Sequence, residues 1–153
     1  MCYSRRRSEK HIPGEYLTAS VKQRLELLAG LIDTDGSLSE GYKYAFTTSD
    51  ERLKNDVVSL ISTFGWRTTV IKYEPTTSSS GIVGQKHYWK VQFCPDCHIP
   101  CRLVRKQNKS IATQRMIAIK SIERVEPKQG NCISVEGGIY LAGRTLIPTH
   151  NST

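Results

Sequence analysis

"LLAGLIDTDG", residues 27–36, is the stretch on which the reading of this chain turns. A Leu-rich helical run ends in two aspartates one position apart, Asp33 and Asp35, and Gly36 closes it. The C-terminus of a helix carries partial negative charge, so a carboxylate there costs about 0.3–1 kcal/mol. Upstream, Ser20 can N-cap the helix and Gln23 completes an S-x-x-Q capping box. Val21, Leu25, Leu28 and Ile32 recur at helical spacing, and Leu31 widens the apolar face. Ala29 and Gly30 break that face with small side chains. Glycine costs about 1 kcal/mol relative to alanine inside a helix, so Gly30 implies a return, namely close approach of a second helix backbone. Two such helices lying parallel would bring their terminal aspartates together. Converging carboxylates repel unless divalent cations sit between them, and oxygen ligands suit Mg²⁺. A metal site of that kind beside a basic sheet hydrolyses phosphodiesters.

Working outward, "SLSEGYKYAFTTS" predicts a hairpin turning at Ser39, Glu40 and Gly41. A second helix is predicted from Asp50 to about Phe64, with Leu53, Val57, Leu60 and Ile61 on one face and Gly65 as its stop. "WRTTVIKYE" is a strand rich in β-branched residues, "PTTSSSG" a loop, and "KHYWKVQF" the returning strand. The order is helix, two strands, helix, two strands. "CRLVRKQNKSIATQ" predicts a basic helix or loop. The character changes near residue 116, where "MIAIKSIERVE", "NCISVE" and "IYLAG" predict short strands divided by glycines.

The 153 residues carry a net charge of +8, which favours a polyanionic partner, nucleic acid first among them. No apolar run reaches the roughly 20 residues that span a bilayer. "MCYSRRR" has no apolar stretch behind it, so an intracellular place, cytoplasm or nucleus with a host protein, is expected. The five cysteines then read as thiols. Cys94, Cys97, His98 and Cys101 have the residue types for zinc, but a C-x-x-C pair ordinarily takes its other two ligands from a distant segment. Strand-end and core thiols are the favoured reading.

"LAGLIDTDG" (Leu28–Gly36) differs only at Thr34 from the nine-residue signature of the LAGLIDADG homing endonucleases, and the element order resembles their αββαββ half. The resemblance implies that Asp35 is a metal ligand, with the main-chain carbonyl of Thr34 beside it and Mg²⁺ as the ion. Asp33 would end the helix without taking part in chemistry. "KHIP" (Lys10–Pro13) resembles a block that precedes the second signature in intein endonucleases, and "IPCRLVRKQ" the basic segment after the fourth strand. By that position Lys106 is the active-site lysine near the scissile phosphate, or else a solvated phosphate contact, with Arg105 beside it as a further DNA contact. Lys43, Tyr44, Arg67, Thr69, Lys72, Lys90 and Gln92 alternate so as to present polar side chains to a major groove of double-stranded DNA.

"TLIPTHNST" ends the chain, and His150-Asn151-Ser152 resembles an intein C-terminal junction, with "NCISVEGGIYLAG" resembling the strand block before it. The implied chemistry is cyclisation of Asn151 with His150 as general acid or base. Ser152 is the nucleophile that accepts the upstream host segment. Cys132 falls where many inteins have an aspartate and is a possible supporting residue. "GGIY" stands where the family frequently has a histidine. Ser152-Thr153 also suits a Gly-Lys-Ser/Thr phosphate loop split by an insertion, which would place the host among ATPases such as helicases or terminases.

An opening Cys- or Ser-led strand block, a T-x-x-H block and a second signature are not found. The chain therefore resembles the C-terminal portion of an endonuclease-bearing intein: a naturally split element, a truncated coding sequence or a decayed one. The expected fold is α+β. Residues 1–115 would form an endonuclease half with an antiparallel sheet packed on helices, residues 116–151 the last strands of a Hint splicing domain, and residues 152–153 the start of the host's C-extein. Site-specific double-strand cleavage would need an N-terminal half or a homodimer partner, and splicing the N-terminal half. The competing class is a DNA-binding module that does not cut.

Overall fold

In the computed structural model, Ser20 opens helix α1 (Val21–Asp35) with the full capping box: its hydroxyl accepts from Gln23 N–H, and the Gln23 side chain accepts from Ser20 N–H. The structure describes residues 10–75, 86–111, 119, 121–131, 133–143 and 146–150. Helix α1 runs straight into strand β1 (Gly36–Ser39), which turns into β2 (Lys43–Thr48). Glu40 and Gly41 both have positive φ, 55° and 76°, the primed turn whose twist matches a tight hairpin. Asp50 caps α2 (Glu51–Ser62) by accepting from Leu53 N–H. That bond, with the N–H of Lys10 as a second donor, holds the Asp50 carboxyl below its ordinary pKa. Gly65, at φ 75°, ends the helical region, and β3 (Thr68–Tyr73) and β4 (Tyr88–Phe93) follow.

The four strands form one antiparallel sheet in the order β1-β2-β4-β3. Alternation along each strand gives it two unlike faces. Tyr44, Phe46, Val91 and Phe93 point to the helices and meet Leu28, Ala29 and Ile32 of α1 and Leu53, Val57, Leu60 and Ile61 of α2. Tyr44 stacks on Phe93 with ring centroids 5.6 Å apart, and Trp66 continues the stack on Phe93 at 6.0 Å. The segment before α1 is fastened to α2, because Asp56 accepts from Ile12 N–H at 2.8 Å and Ile12 is buried in the core. The mixed α and β composition, the two helices and the antiparallel sheet agree with the expected class.

The chain divides into two units, residues 1–112 and 113–153. In the second, β5 (Ile139–Ala142) pairs antiparallel with β6 (Ile147–His150). "IYLAG" is a strand as expected, whereas β6 is one the sequence did not suggest. Of the other expected strands, Met116, Ile117, Ala118, Lys120 and Cys132 lie outside the described residues, and the rest is a correction. Among the described residues of 119–136 there is no strand, and Ile119, Ile122 and Val125 are about four-fifths exposed at 81%, 87% and 79%. β-branched composition alone does not make a strand; a ladder partner must be present. The basic stretch after Cys101, expected as a helix or a loop, is in its described part a loop with a single 3₁₀ turn, Val104–Lys106.

Gly36 joins α1 to β1 at close quarters. A Cβ there would stand 2.7 Å from Ile32 Cα and 2.9 Å from Ile32 O, contacts that backbone cannot relieve cheaply. Gly36→Ala should therefore lower stability by about 1–3 kcal/mol, read as a drop in thermal midpoint. An unchanged midpoint would show that this junction has slack.

Candidate active site at the end of the first helix

The two acids of the signature have separate fates. Asp33 turns its carboxylate to the chain beyond β4, accepting from Arg102 N–H at 2.7 Å and from Leu103 N–H at 3.3 Å. Asp35, the last helical residue, is exposed, and its carboxylate has no hydrogen-bond or ion-pair partner among the described residues. Thr34 between them bonds its hydroxyl back to Leu31 O at 3.0 Å, which leaves its side chain pinned to the helix.

Lys106 solves the dipole problem. Its side chain is buried, and its ammonium donates to Ile32 O at 2.8 Å and Asp33 O at 2.9 Å, carbonyls of the last turn of α1. A cation at a helix C-terminus offsets the partial negative charge that two aspartates aggravate. Asp33 and Lys106 thus lock the helix end to the 101–106 segment from both directions. The expectation of a solvated phosphate contact at Lys106 is corrected: at 8% exposure the ammonium faces protein carbonyls.

Asn108 holds the rest of the segment and had no mark in the sequence. Its buried amide accepts from Ile99 N–H and donates to Cys97 O and Ser110 O, while its backbone carbonyl lies 3.1 Å from His98 Nδ1. Tyr44 completes this set. Its hydroxyl lies 2.8 Å from Lys106 O and 3.1 Å from Asn108 Oδ1, and burial raises its pKa well above the ordinary phenol value. Tyr44 is fully buried and cannot meet a base edge, which corrects its place among the DNA contacts. Cys101 is buried in the same region; burial, then the Asp33 charge, pushes its thiol up to about 11. Among the described residues no three His, Cys, Asp or Glu side chains are grouped as ligands for one ion; Cys94 and Cys97 are half-buried and Cys101 is buried.

The sheet's other face is polar. The register sets Lys43, Ala45 and Thr47 of β2 beside Tyr88, Lys90 and Gln92 of β4, and these beside Thr69, Ile71 and Tyr73 of β3. Lys43, Thr69, Lys90 and Gln92 are therefore brought together as the sequence suggested. Lys72 is not: it pairs with Trp89 on the helix side, and its ammonium meets Glu74 at 3.2 Å. Arg67 lies exposed just ahead of β3, and Arg105 exposed in the 3₁₀ turn. His150 ends β6 opposite Ile139. Cys132, Asn151 and Ser152 lie outside the described residues.

Asp35 fits a hard cation: an exposed carboxylate with no competing partner among the described residues is an oxygen donor of the Mg²⁺ kind. One carboxylate does not complete such a site.

Lys106→Met keeps the length of the side chain and removes the charge. It should cost about 2–3 kcal/mol, because Asp33 O loses its donor and the helix end its cation. Thermal unfolding of the variant checks this. A midpoint equal to that of the wild type would mean that the ammonium is held there without stabilising the helix.

Residues 22–92 match the family of LAGLIDADG-like domains. Over 156 aligned residues the chain is 33% identical to the replicative DNA helicase DnaB of Mycobacterium intracellulare, an alignment that takes in 94% of this chain and 26% of that protein. The chain thus spans about a quarter of the length of the curated relative it matches. LAGLIDADG domains bind DNA and often dimerise, and the family's members are usually nucleases that use a divalent metal.

Proposed function

We propose that the LAGLIDADG-like domain of this chain is one half of a Mg²⁺-dependent homing endonuclease, and that the chain as a whole is the C-terminal portion of an intein in a DnaB-type replicative helicase. The observation that carries the first part is Gly30. It lies inside α1, five residues before Asp35, exposed, and a Cβ on it would meet nothing within 4 Å. Among the described residues nothing requires a glycine there, while a second helix laid against it would. That helix would bring its own carboxylate to Asp35, which the site lacks alone.

The chemistry follows from these residues. Asp35 and the Thr34 carbonyl would hold the cation together with the second helix. When bound, the metal supplies a water nucleophile at neutral pH and stabilises the leaving oxygen. The face bearing Lys43, Thr69, Lys90 and Gln92, with Arg67 and Arg105 nearby, would lie on the DNA. Lys106 keeps the helix end rigid behind Asp35.

The helicase relative supports the intein reading, because its alignment takes in the LAGLIDADG-like residues and nearly all of the tail. An inserted element explains why a helicase carries such a module. In this reading the side-chain nitrogen of Asn151 attacks its own backbone carbonyl carbon. The bond to Ser152 breaks, a succinimide forms, and His150 relays the proton to the leaving amine. Beforehand, the Ser152 hydroxyl takes the upstream host segment. An N-terminal half supplies the rest of the splicing domain.

Two experiments test the endonuclease reading. Asp35→Asn should abolish Mg²⁺-dependent cleavage of the uninterrupted helicase gene while leaving DNA binding in place. A wild-type chain that binds but never cuts, with or without its partner half, would instead identify a binding module. Gly30→Ala should raise the stability of the isolated chain by up to about 1 kcal/mol, whereas Gly30→Leu should block association of two copies or two halves in sedimentation. Association that survives Gly30→Leu would rule out a helix packed at this position.

A further inference from the structure

Two glycines lead into β5, and both have left-handed backbone, φ 77° at Gly137 and 69° at Gly138. Their surroundings differ. A Cβ on Gly137 would meet nothing within 4 Å, whereas one on Gly138 would stand 3.0 Å from His150 Nε2 and 3.4 Å from His150 Cδ2. The imidazole therefore rests on the bare Cα of Gly138. The hairpin brings it there, since Ile139 pairs with His150 and sets the end of β6 against the start of β5.

We propose that Gly138 is a positioning residue for His150: the missing side chain admits the ring and holds it at the hairpin end, next in sequence to Asn151. This rests on the reading of His150 as the acid–base group for Asn151 cyclisation. The left-handed φ by itself would explain a glycine at either position. Only Gly138 also has the ring against it, and that contact is what the proposal uses.

Gly137 supplies the control. Gly137→Ala and Gly138→Ala carry the same penalty of alanine at positive φ, and only the second intrudes on the imidazole. The test uses the full 153-residue chain, alone for the placement of the ring and together with the N-terminal half of the splicing domain for cleavage, with two readouts. Nuclear Overhauser contacts between the His150 ring protons and the α protons of residue 138 report the placement. Mass spectrometry reports the rate at which the bond between Asn151 and Ser152 is cut. The expected result is loss of the ring contact and a ~10–100-fold slower cleavage in Gly138→Ala, with Gly137→Ala close to wild type in both. Equal slowing in the two variants, or no ring contact in the wild type, would overturn the proposal. If the wild type shows the contact, only Gly138→Ala removes it, and no variant cleaves, the placement stands and the splicing reading of this junction fails.

Discussion

The reciprocal lock between Asp33 and Lys106 is the constraint on which the described site depends. Each group relieves a cost that would otherwise fall on the other's segment. The Asp33 carboxylate satisfies two backbone N–H groups at the start of the 102–106 segment. The Lys106 ammonium donates to two carbonyls of the last turn of α1, Ile32 O, which also accepts from Gly36 N–H, and Asp33 O. Without the lysine, two carboxylates would stand at the negative end of a helix. Without the aspartate, the segment carrying the lysine would lose the bonds that bring it there. The buried amide of Asn108 and the hydroxyl of Tyr44 extend the same logic inward, so the polar groups of this region are paired, as burial requires.

This arrangement divides labour between neighbours that look alike in the sequence. Asp33 is fully used by the fold and Asp35 is left over, although they are two positions apart on one helix. Lys106 and Arg105 divide the same way, one under the helix end and the other in solvent. Alternation does it again along the sheet, where Tyr44 and Lys72 fall on the helix side and Lys43, Lys90 and Gln92 on the open one. Among the described residues the groups left unused by the fold are an exposed carboxylate, a polar sheet face and a helix with an open glycine, which the function proposed above assigns to metal, DNA and a second helix.

The two units differ in how far their own residues complete them. Residues 1–112 have a sheet, two helices and a shared apolar core. In residues 113–153 a two-stranded hairpin is formed, while Ile119, Ile122 and Val125 remain open to solvent. An isolated two-stranded hairpin is at best marginally stable in water; in the function proposed above, an N-terminal half supplies the rest of this domain.

The sequence by itself determined the first helix and its cap, the hairpin turn at Glu40-Gly41, the second helix and the pairing strands of the first unit. These are set by local signals: a capping box, helical spacing, positive-φ turn residues, β-branched runs. It also marked Asp35 and Asp33 as a pair and pointed to different roles for them by resemblance. Tertiary structure alone decided the rest. Lys106 stands 73 residues from Asp33 in the chain, and no local pattern says that its ammonium is buried on that carbonyl. Asn108 reads as an ordinary loop residue until Tyr44, residues 97–99 and Ser110 converge on it. The ring of His150 lies on Gly138 because of a hairpin whose second strand has no strand-like pattern of its own. Propensity and spacing act over a few residues, whereas the burial of a charge or an amide is fixed by what the folded chain brings around it.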